Sequence, residues 1–333
     1  MMTILETFEA KLRKDPKSIV FPEGSDARVL EAVSRLLASN FLFPILIGKE
    51  AEIYAAAEEA GYNIRGAKII DPQNYERFDE MVDLFVKIRA HKNMTEDKAR
   101  VVLLHPNYFG CMLVKMGEAD SMLSGATYAA NDTLLPALQI LKKEGDNHTV
   151  SGCYILDRAN ATGENTRLVM GDCAINVNPT EDQLVEICGD IIRCAKKFHL
   201  EPKVAFLSYS TNGSGKGESV DKMHNAAAKA KAAYPTELIE GEMQMDAAVS
   251  PNVAKLKYPN SKVAGYANTF LFPDVQSANI GYKIAARMGN FNVYGPILLG
   301  LDGKVSGLSR SCNGQEVYIM AVCTAAGAGI EWE

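Results

Sequence analysis

Short apolar runs that end in turn residues, each followed by an amphipathic helix, set the tightest limit on what this chain can fold into. Ser18 to Pro22, followed by Glu23 and Gly24, reads as a buried strand entering a turn. Asp26 then precedes a helix with apolar Val29, Leu30, Val33, Leu36 and Leu37 on its inner face. The pattern repeats with a strand at Phe43–Gly48, a helix at Ala51–Ala60, a strand at Ala67–Ile70 and a helix at Phe78–His91. Thr95 opens a further helix, Tyr108–Lys115 forms another, and Ser121–Ala126 makes a strand and a glycine turn. Such alternation requires a parallel sheet joined by right-handed crossovers.

At 333 residues the chain is about twice the usual domain length, which predicts two lobes. Lys142–Thr149 is polar and turn-rich and marks the boundary. Beyond it, Val150–Leu156 and Arg167–Gly171 read as strands able to pair, Glu181–Phe198 as a helix, Lys203–Tyr209 as a strand and Val220–Ala233 as an Ala-rich helix. Lys262–Ala267 reads as a further strand, Asn279–Met288 as a helix, and Gln315 to about Ala326 as the closing helix, with Glu240–Asp246 unassigned.

A hydrophobic content of 47% excludes global disorder. The formal net charge of −6 argues against a general grip on nucleic acid or anionic lipid. The seven cysteines form no CxxC pair, and the five histidines show no HExxH or HxxxH spacing, so neither a disulfide framework nor a metal site is signalled. The opening MMTILETFEAKLRKD is acidic where a signal peptide would be apolar, and Tyr318–Ile330 is too short to span a bilayer. We expect a cytoplasmic protein with no membrane association.

Three segments carry candidate chemistry. Ser208–Gly217 (SYSTNGSGKG) follows a strand and precedes a helix, a setting in which backbone N–H groups and a lysine hold an anion. It departs from the Walker A pattern at Ser210 and Gly217, and no GxGxxG opens a helix elsewhere. A flexible Gly/Ser loop with a solvated lysine is the alternative. Ser124–Thr127 is a second small-residue turn at a strand end, and Asp172–Cys173 places a carboxylate beside a thiol that is more often a buried small hydrophobe. Near the C-terminus, Ser306–Asn313 offers hydroxyls and a guanidinium ahead of Glu316, which spacing alone also accommodates as a helix cap and a surface pair.

Together these segments resemble the phosphate acetyltransferase family from about Ser18 to Ala326. The likeness is carried by IVFPEGSDARVLEA (19–32), HPNYFGCMLVKMGEAD (105–120), SGAT (124–127) with DTLLPALQIL (132–141), GDCAINVNPT (171–180), LSYSTNGSGKG (207–217), GEMQMDAA (241–248), NTFLFPD (268–274) with NIGYKIAARMG (279–289), and GPILLGLDGKVSGLSRSCN (295–313). The resemblance implies a two-lobed α/β fold similar to isocitrate and isopropylmalate dehydrogenases, with an inter-lobe cleft. The first lobe would comprise residues 1–145 plus 295–333 and the second residues 146–294. An NAD-linked dehydrogenase of that architecture has no support in the residues themselves.

The family interconverts acetyl-CoA plus phosphate with CoA plus acetyl phosphate, without a metal or bound cofactor and usually as a homodimer. Carried over by position, the resemblance places catalysis on Ser309, Arg310 and Glu316. It places substrate binding on Arg28, Arg89, Ser124, Thr127, Ser210, Gly213, Ser214, Lys216, Tyr282 and Lys283. Arg28, Arg89 and Arg310 would bind phosphate, and Glu316 would take the CoA thiol proton. Glu316 stands where the family has aspartate, and Leu135 where the family carries a substrate-facing arginine. The apolar Leu135 leaves open a butyryltransferase-like preference or a non-catalytic acyl-CoA or phosphate sensor, and Lys92 and Arg158 are candidates to replace the lost charge.

Overall fold

A computed structural model describes residues 4–141, 149–158, 166–301 and 304–327. In chain order the elements of the first part are α1 (Ile4–Lys14), β1 (Lys17–Phe21), α2 (Ala27–Ser39), β2 (Leu42–Ile47), α3 (Glu50–Ala60), β3 (Lys68–Ile70), α4 (Phe78–Ile88), α5 (Glu96–Leu103), α6 (Pro106–Lys115), β4 (Ser121–Ser124) and α7 (Ala130–Leu141). There follow β5 (Ser151–Asp157), β6 (Arg167–Gly171), α8 (Glu181–Lys197), β7 (Lys203–Leu207), α9 (Glu218–Ala233), β8 (Leu238–Met243), α10 (Met245–Val249), α11 (Pro251–Lys257), β9 (Thr269–Leu271), α12 (Val275–Met288) and β10 (Asn292–Leu299). The chain closes with β11 (Lys304–Gly307) and α13 (Gly314–Gly327).

Two compact units result, Met1–Asp146 with Leu301–Glu333, and Asn147–Gly300. Residues 295–300, expected in the first lobe, belong with the second unit because β10 pairs with β5 as far as Leu299 opposite Ser151. Of the expected turn-rich boundary, residues 142–148 lie outside the described residues. No described helix is long and apolar enough to cross a membrane.

In the first unit the strands lie in the order β3-β2-β1-β4-β11, all parallel. Fully buried Ile19, Val20 and Phe21 of β1 explain its unbroken apolar run, since helices cover both faces of a parallel sheet. Asp26 accepts a bond from Arg28 N–H to cap α2, and Asn40 in the left-handed region (φ 52°) ends it. Between those caps the buried stripe is Val29, Leu30, Val33 and Leu36. Helix α4 stops at Ile88, short of the expected His91, because a 3-10 turn over Ala90–Lys92 and left-handed Asn93 intervene.

The second unit has the order β10-β5-β6-β9-β7-β8, antiparallel from β10 to β6 and parallel beyond. The expected strand at Lys262–Ala267 is a turn segment instead. Its N–H groups at Gly265, Tyr266 and Ala267 donate to the carbonyls of Ala247, Val263 and Ala248 rather than to a ladder. Val263, Ala264 and Ala267 are nonetheless buried in the unit's core, so the apolar signal was sound and its period misleading. The ladder strand, β9, begins two residues later, and the unassigned Glu240–Asp246 contributes the end of β8.

Candidate functional site

Parallel order in the first unit brings the carboxyl ends of β1, β4 and β11 side by side. The loops that leave them, 22–26, 125–129 and 308–313, therefore share one edge, where parallel α/β sheets commonly bind ligands. The last loop carries Ser309 and Arg310.

Arg28 holds these loops together. Its Nη1 donates to the carbonyls of Arg310 (2.8 Å) and Cys312 (3.3 Å), and its Nη2 donates to Ala126 O (2.6 Å) and Asp26 Oδ2 (2.7 Å). Nε donates to Asp26 Oδ1 at 3.0 Å. All five guanidinium N–H groups are thus taken inside the protein, so Arg28 acts as a strap and not as the open phosphate ligand expected from sequence. Burial pushes the Asp26 carboxyl upward, but the bonds and charge of Arg28 outweigh it and hold the group below its ordinary range. Burial likewise pushes the Cys312 thiol up to about 11, against the pull of Arg28.

Arg310, by contrast, is exposed, and its guanidinium makes no hydrogen bond or ion pair among the described residues. Its neighbour Ser309 is also exposed, with Oγ 2.9 Å from Ser311 Oγ. Glu316 sits in the first turn of α13: Asn313 N–H donates to its Oε2 at 3.0 Å, and Glu316 N–H donates back to Asn313 Oδ1 at 2.9 Å. The reciprocal pair is a capping box, so the helix-cap use is real, and it fixes the carboxylate at the start of α13. Two contacts seat this helix against α2. Arg35 Nη1 donates to Gln315 Oε1, and a Cβ on Gly314 would fall 2.2 Å from Glu31 Oε2, so a larger residue there would displace the Glu31 carboxylate.

The other first-unit candidates divide. Ser124 is fully buried, donating to Asn107 Oδ1 (2.7 Å) and accepting from Thr133 Oγ1 (3.2 Å), so its hydroxyl anchors the turn and is not offered to a substrate. Thr127 is exposed, while its N–H donates to Glu23 Oε1 at 3.0 Å. Arg89 caps α4, and its buried Nε has no partner among the described residues. Leu135, where a cation was expected, lies on α7 with 49% of its surface exposed. Lys92 is exposed.

In the second unit, the loop that was expected to cradle an anion has its own carboxylate. Glu242, 1% exposed, accepts from Ser210 Oγ (2.9 Å) and Gly213 N–H (2.8 Å), and His224 Nδ1 lies 3.0 Å from its other oxygen. Burial raises this carboxyl, but the donors prevail and lower it. Gly215 N–H goes to Ser210 Oγ and Ser214 N–H to Thr211 O, so the backbone donors from 210 to 215 are satisfied internally, while Lys216 is exposed.

Tyr282 points inward, its ring stacked on Tyr154 at 4.5 Å, while Lys283 is exposed beside it. Arg158 covers the Phe291 ring. Asp172 accepts from Ile175 and Asn176 N–H, and burial pushes the Cys173 thiol well up, which makes the pair a turn staple and not a nucleophile. Among the described residues no group of His, Cys, Asp or Glu gathers as a metal site requires. The sequence reading missed Glu23, Asn107, Glu242 and His224; an acid placed directly after a strand, as in Phe21-Pro22-Glu23, is the one signal that marked any of them.

Residues 3–325 match the sequence model of the phosphate acetyl/butaryl transferase family. The phosphate acetyltransferase of Bacillus subtilis (strain 168) is 47% identical over 98% of this chain and 100% of its own. A crystal structure of a phosphotransacetylase from Streptococcus pyogenes superposes with a TM-score of 0.90 at 44% identity, covering 98% of each chain. A branched-chain phosphotransacylase from Enterococcus faecalis V583 reaches 0.66 at 18% identity over 94% of this chain and 99% of its own, which speaks to the fold alone.

Proposed function

The chain belongs to the phosphate acetyl/butaryl transferase family and transfers an acetyl group between CoA and inorganic phosphate, and from this premise we propose that the loops after β1, β4 and β11 carry the reaction. The observation that supports this placement is the contrast between two arginines: Arg28 is saturated by protein acceptors and pins the backbone at 310, while the Arg310 guanidinium, on that fixed base, has no partner among the described residues. In the forward direction a phosphate oxygen attacks the thioester carbonyl, negative charge develops on the carbonyl oxygen, and the CoA thiolate leaves. Arg310 meets the phosphate and the developing charge, and Ser309 supplies a hydroxyl donor. In reverse, the CoA thiol gives its proton to Glu316 as sulfur attacks acetyl phosphate. Arg89, whose Nε has no partner among the described residues, is the second cation of the phosphate site.

No metal or bound cofactor takes part in this reading, and CoA and phosphate are substrates. Arsenate-dependent breakdown of acetyl-CoA by the purified protein, run in EDTA, tests it. Steady release of CoA is expected, and a protein that binds acetyl-CoA without turnover would be a sensor instead.

Leu135 bears on phosphate affinity. A charged hydrogen bond contributes about 1.5–3 kcal/mol, and 1.4 kcal/mol is a factor of ten in binding. Because Leu135 is half exposed on α7, Leu135→Arg is sterically tolerable there. It should lower the KM for phosphate or acetyl phosphate roughly tenfold at fixed ionic strength. An unchanged or raised KM would mean that the pocket has been rebuilt around leucine, and an accompanying gain of acetyl-CoA over butyryl-CoA turnover would tie Leu135 to acyl choice.

We further propose that the protein is a homodimer joined through α12. Ile280, Ile284 and Met288 recur at helical spacing and are 59%, 54% and 86% exposed, while Ala278, Tyr282 and Ala285 face the unit's core. An apolar stripe of this kind marks an association surface, and a second copy of the same helix is complementary to it. Ile284→Glu should halve the mass seen by sedimentation without unfolding the chain. A dimer that survives the substitution would place the interface elsewhere.

A further inference from the structure

We propose that Glu23 is a positioning residue for acetyl transfer, its carboxylate standing as an internal anion that sets the turn against which the Ser309–Arg310 loop is built; this rests on the site placement above. Strand order in the first unit runs away from β1 in one direction through β2 and β3 and in the other through β4 and β11. The crevice between β1 and β4 is therefore the switch point, the usual ligand position in such sheets. Three backbone N–H groups converge in it. Gly125, Thr127 and Tyr128 donate to Glu23 Oε1 at 2.9, 3.0 and 3.3 Å, and Gly125 N–H also lies 3.3 Å from Oε2. This is the arrangement that binds free anions elsewhere, yet here the occupant is a side chain only 7% exposed.

Two paths lead from the filled nest to the proposed reacting groups. Gly125 (φ 116°) lies so close to residue 308 that a Cβ would fall 2.8 Å from Leu308 O, and Leu308 N–H donates to Ser124 O at 2.8 Å. The turn thus presses on the backbone immediately before Ser309. By the second path, Ala126 O accepts from Arg28, which also holds Arg310 O. A carboxylate presents acceptors on both oxygens and no competing N–H, so the turn, and with it the aim of Ser309 and Arg310, rests on the acceptors placed here. Small errors in such aim are costly to catalysis.

Glu23→Ala empties the nest, and Glu23→Gln keeps the shape while replacing one acceptor by a donor facing Gly125 N–H. With Glu23→Ala, kcat per folded molecule should fall about tenfold while the KM for CoA stays within twofold of wild type, and formate should restore part of the lost kcat without activating wild type. Glu23→Gln should show a smaller fall in kcat with the same unchanged KM, and it decides the matter if the alanine variant fails to fold. Wild-type kcat in the folded variants, or a loss confined to stability or to KM, overturns the role of Glu23. If the wild type is active, these variants are normal and Arg310→Ala is inactive, the site placement stands without Glu23. If Arg310→Ala is fully active, the placement itself fails.

Discussion

Arg310→Ala should lower kcat by roughly a hundredfold to a thousandfold, the loss typical when one charge-stabilising donor is removed from an acyl-transfer site. The structure makes this a clean measurement. The guanidinium is exposed and unpaired among the described residues, so its removal breaks no fold contact, and stability should change by no more than about 0.5 kcal/mol. The part of Arg310 that the fold does use is its carbonyl, which accepts from Arg28, and alanine keeps it. A substitution at Arg28 would be ambiguous by comparison, because it would release Asp26, Ala126, Arg310 and Cys312 together. Arg310→Lys adds a graded test: it retains charge and loses the planar fork, so turnover should fall between wild type and alanine. Initial rates of acetyl-CoA formation and thermal melting on the same preparations suffice. Near-normal turnover with an unchanged melting temperature would remove Arg310 from the reaction.

How far the sequence foretold this site depends on which atoms make each contact. Most helices and strands announced themselves through apolar spacing, because burial acts on side chains and side chains are what a sequence states, while α1, α7, α10 and α11 were not read from it. The exposed Ser309 and Arg310 were placed through resemblance, and spacing alone left them as surface groups. Arg28 was assigned to phosphate through the same resemblance, but three of its acceptors are main-chain carbonyls at 126, 310 and 312, which any residue would present. The same limit hid Glu23, whose donors are backbone N–H groups 102 to 105 residues away. At Ser208–Gly217 a glycine-rich loop with spare N–H groups was the natural expectation for an anion site. The acid that fills it, Glu242, comes from another strand, and no local pattern links the two. Lys262–Ala267 failed for a different reason: buried apolar residues in a turn mimic a short strand when only hydrophobicity is counted.

Glu316 carries the largest expected effect, because its structural and chemical uses can be separated by one atom. As a cap, it needs an oxygen at Oε2 to accept from Asn313 N–H and a backbone N–H to return the bond to Asn313 Oδ1. Glutamine supplies both, and it serves at this position of capping boxes as glutamate does. Glu316→Gln should therefore leave α13, and the loop before it, in place. As a base, the side chain must accept a proton, and glutamine has no basicity to offer. A thiol is a far weaker acid than a carboxylic acid, so the proton must move as sulfur attacks, with Arg310 stabilising the charge that develops. A positioned base of this kind typically contributes ~10²- to 10⁴-fold. The expected result for Glu316→Gln is a fall in kcat of that size with little change in the KM for CoA and no loss of thermal stability. Glu316→Asp should recover activity, since it keeps a carboxylate at the cost of one methylene of reach. If glutamine supports normal turnover, the residue is a helix cap alone and the thiol proton leaves by another route; if instead both variants lose stability in step with activity, the cap and not the base explains the loss.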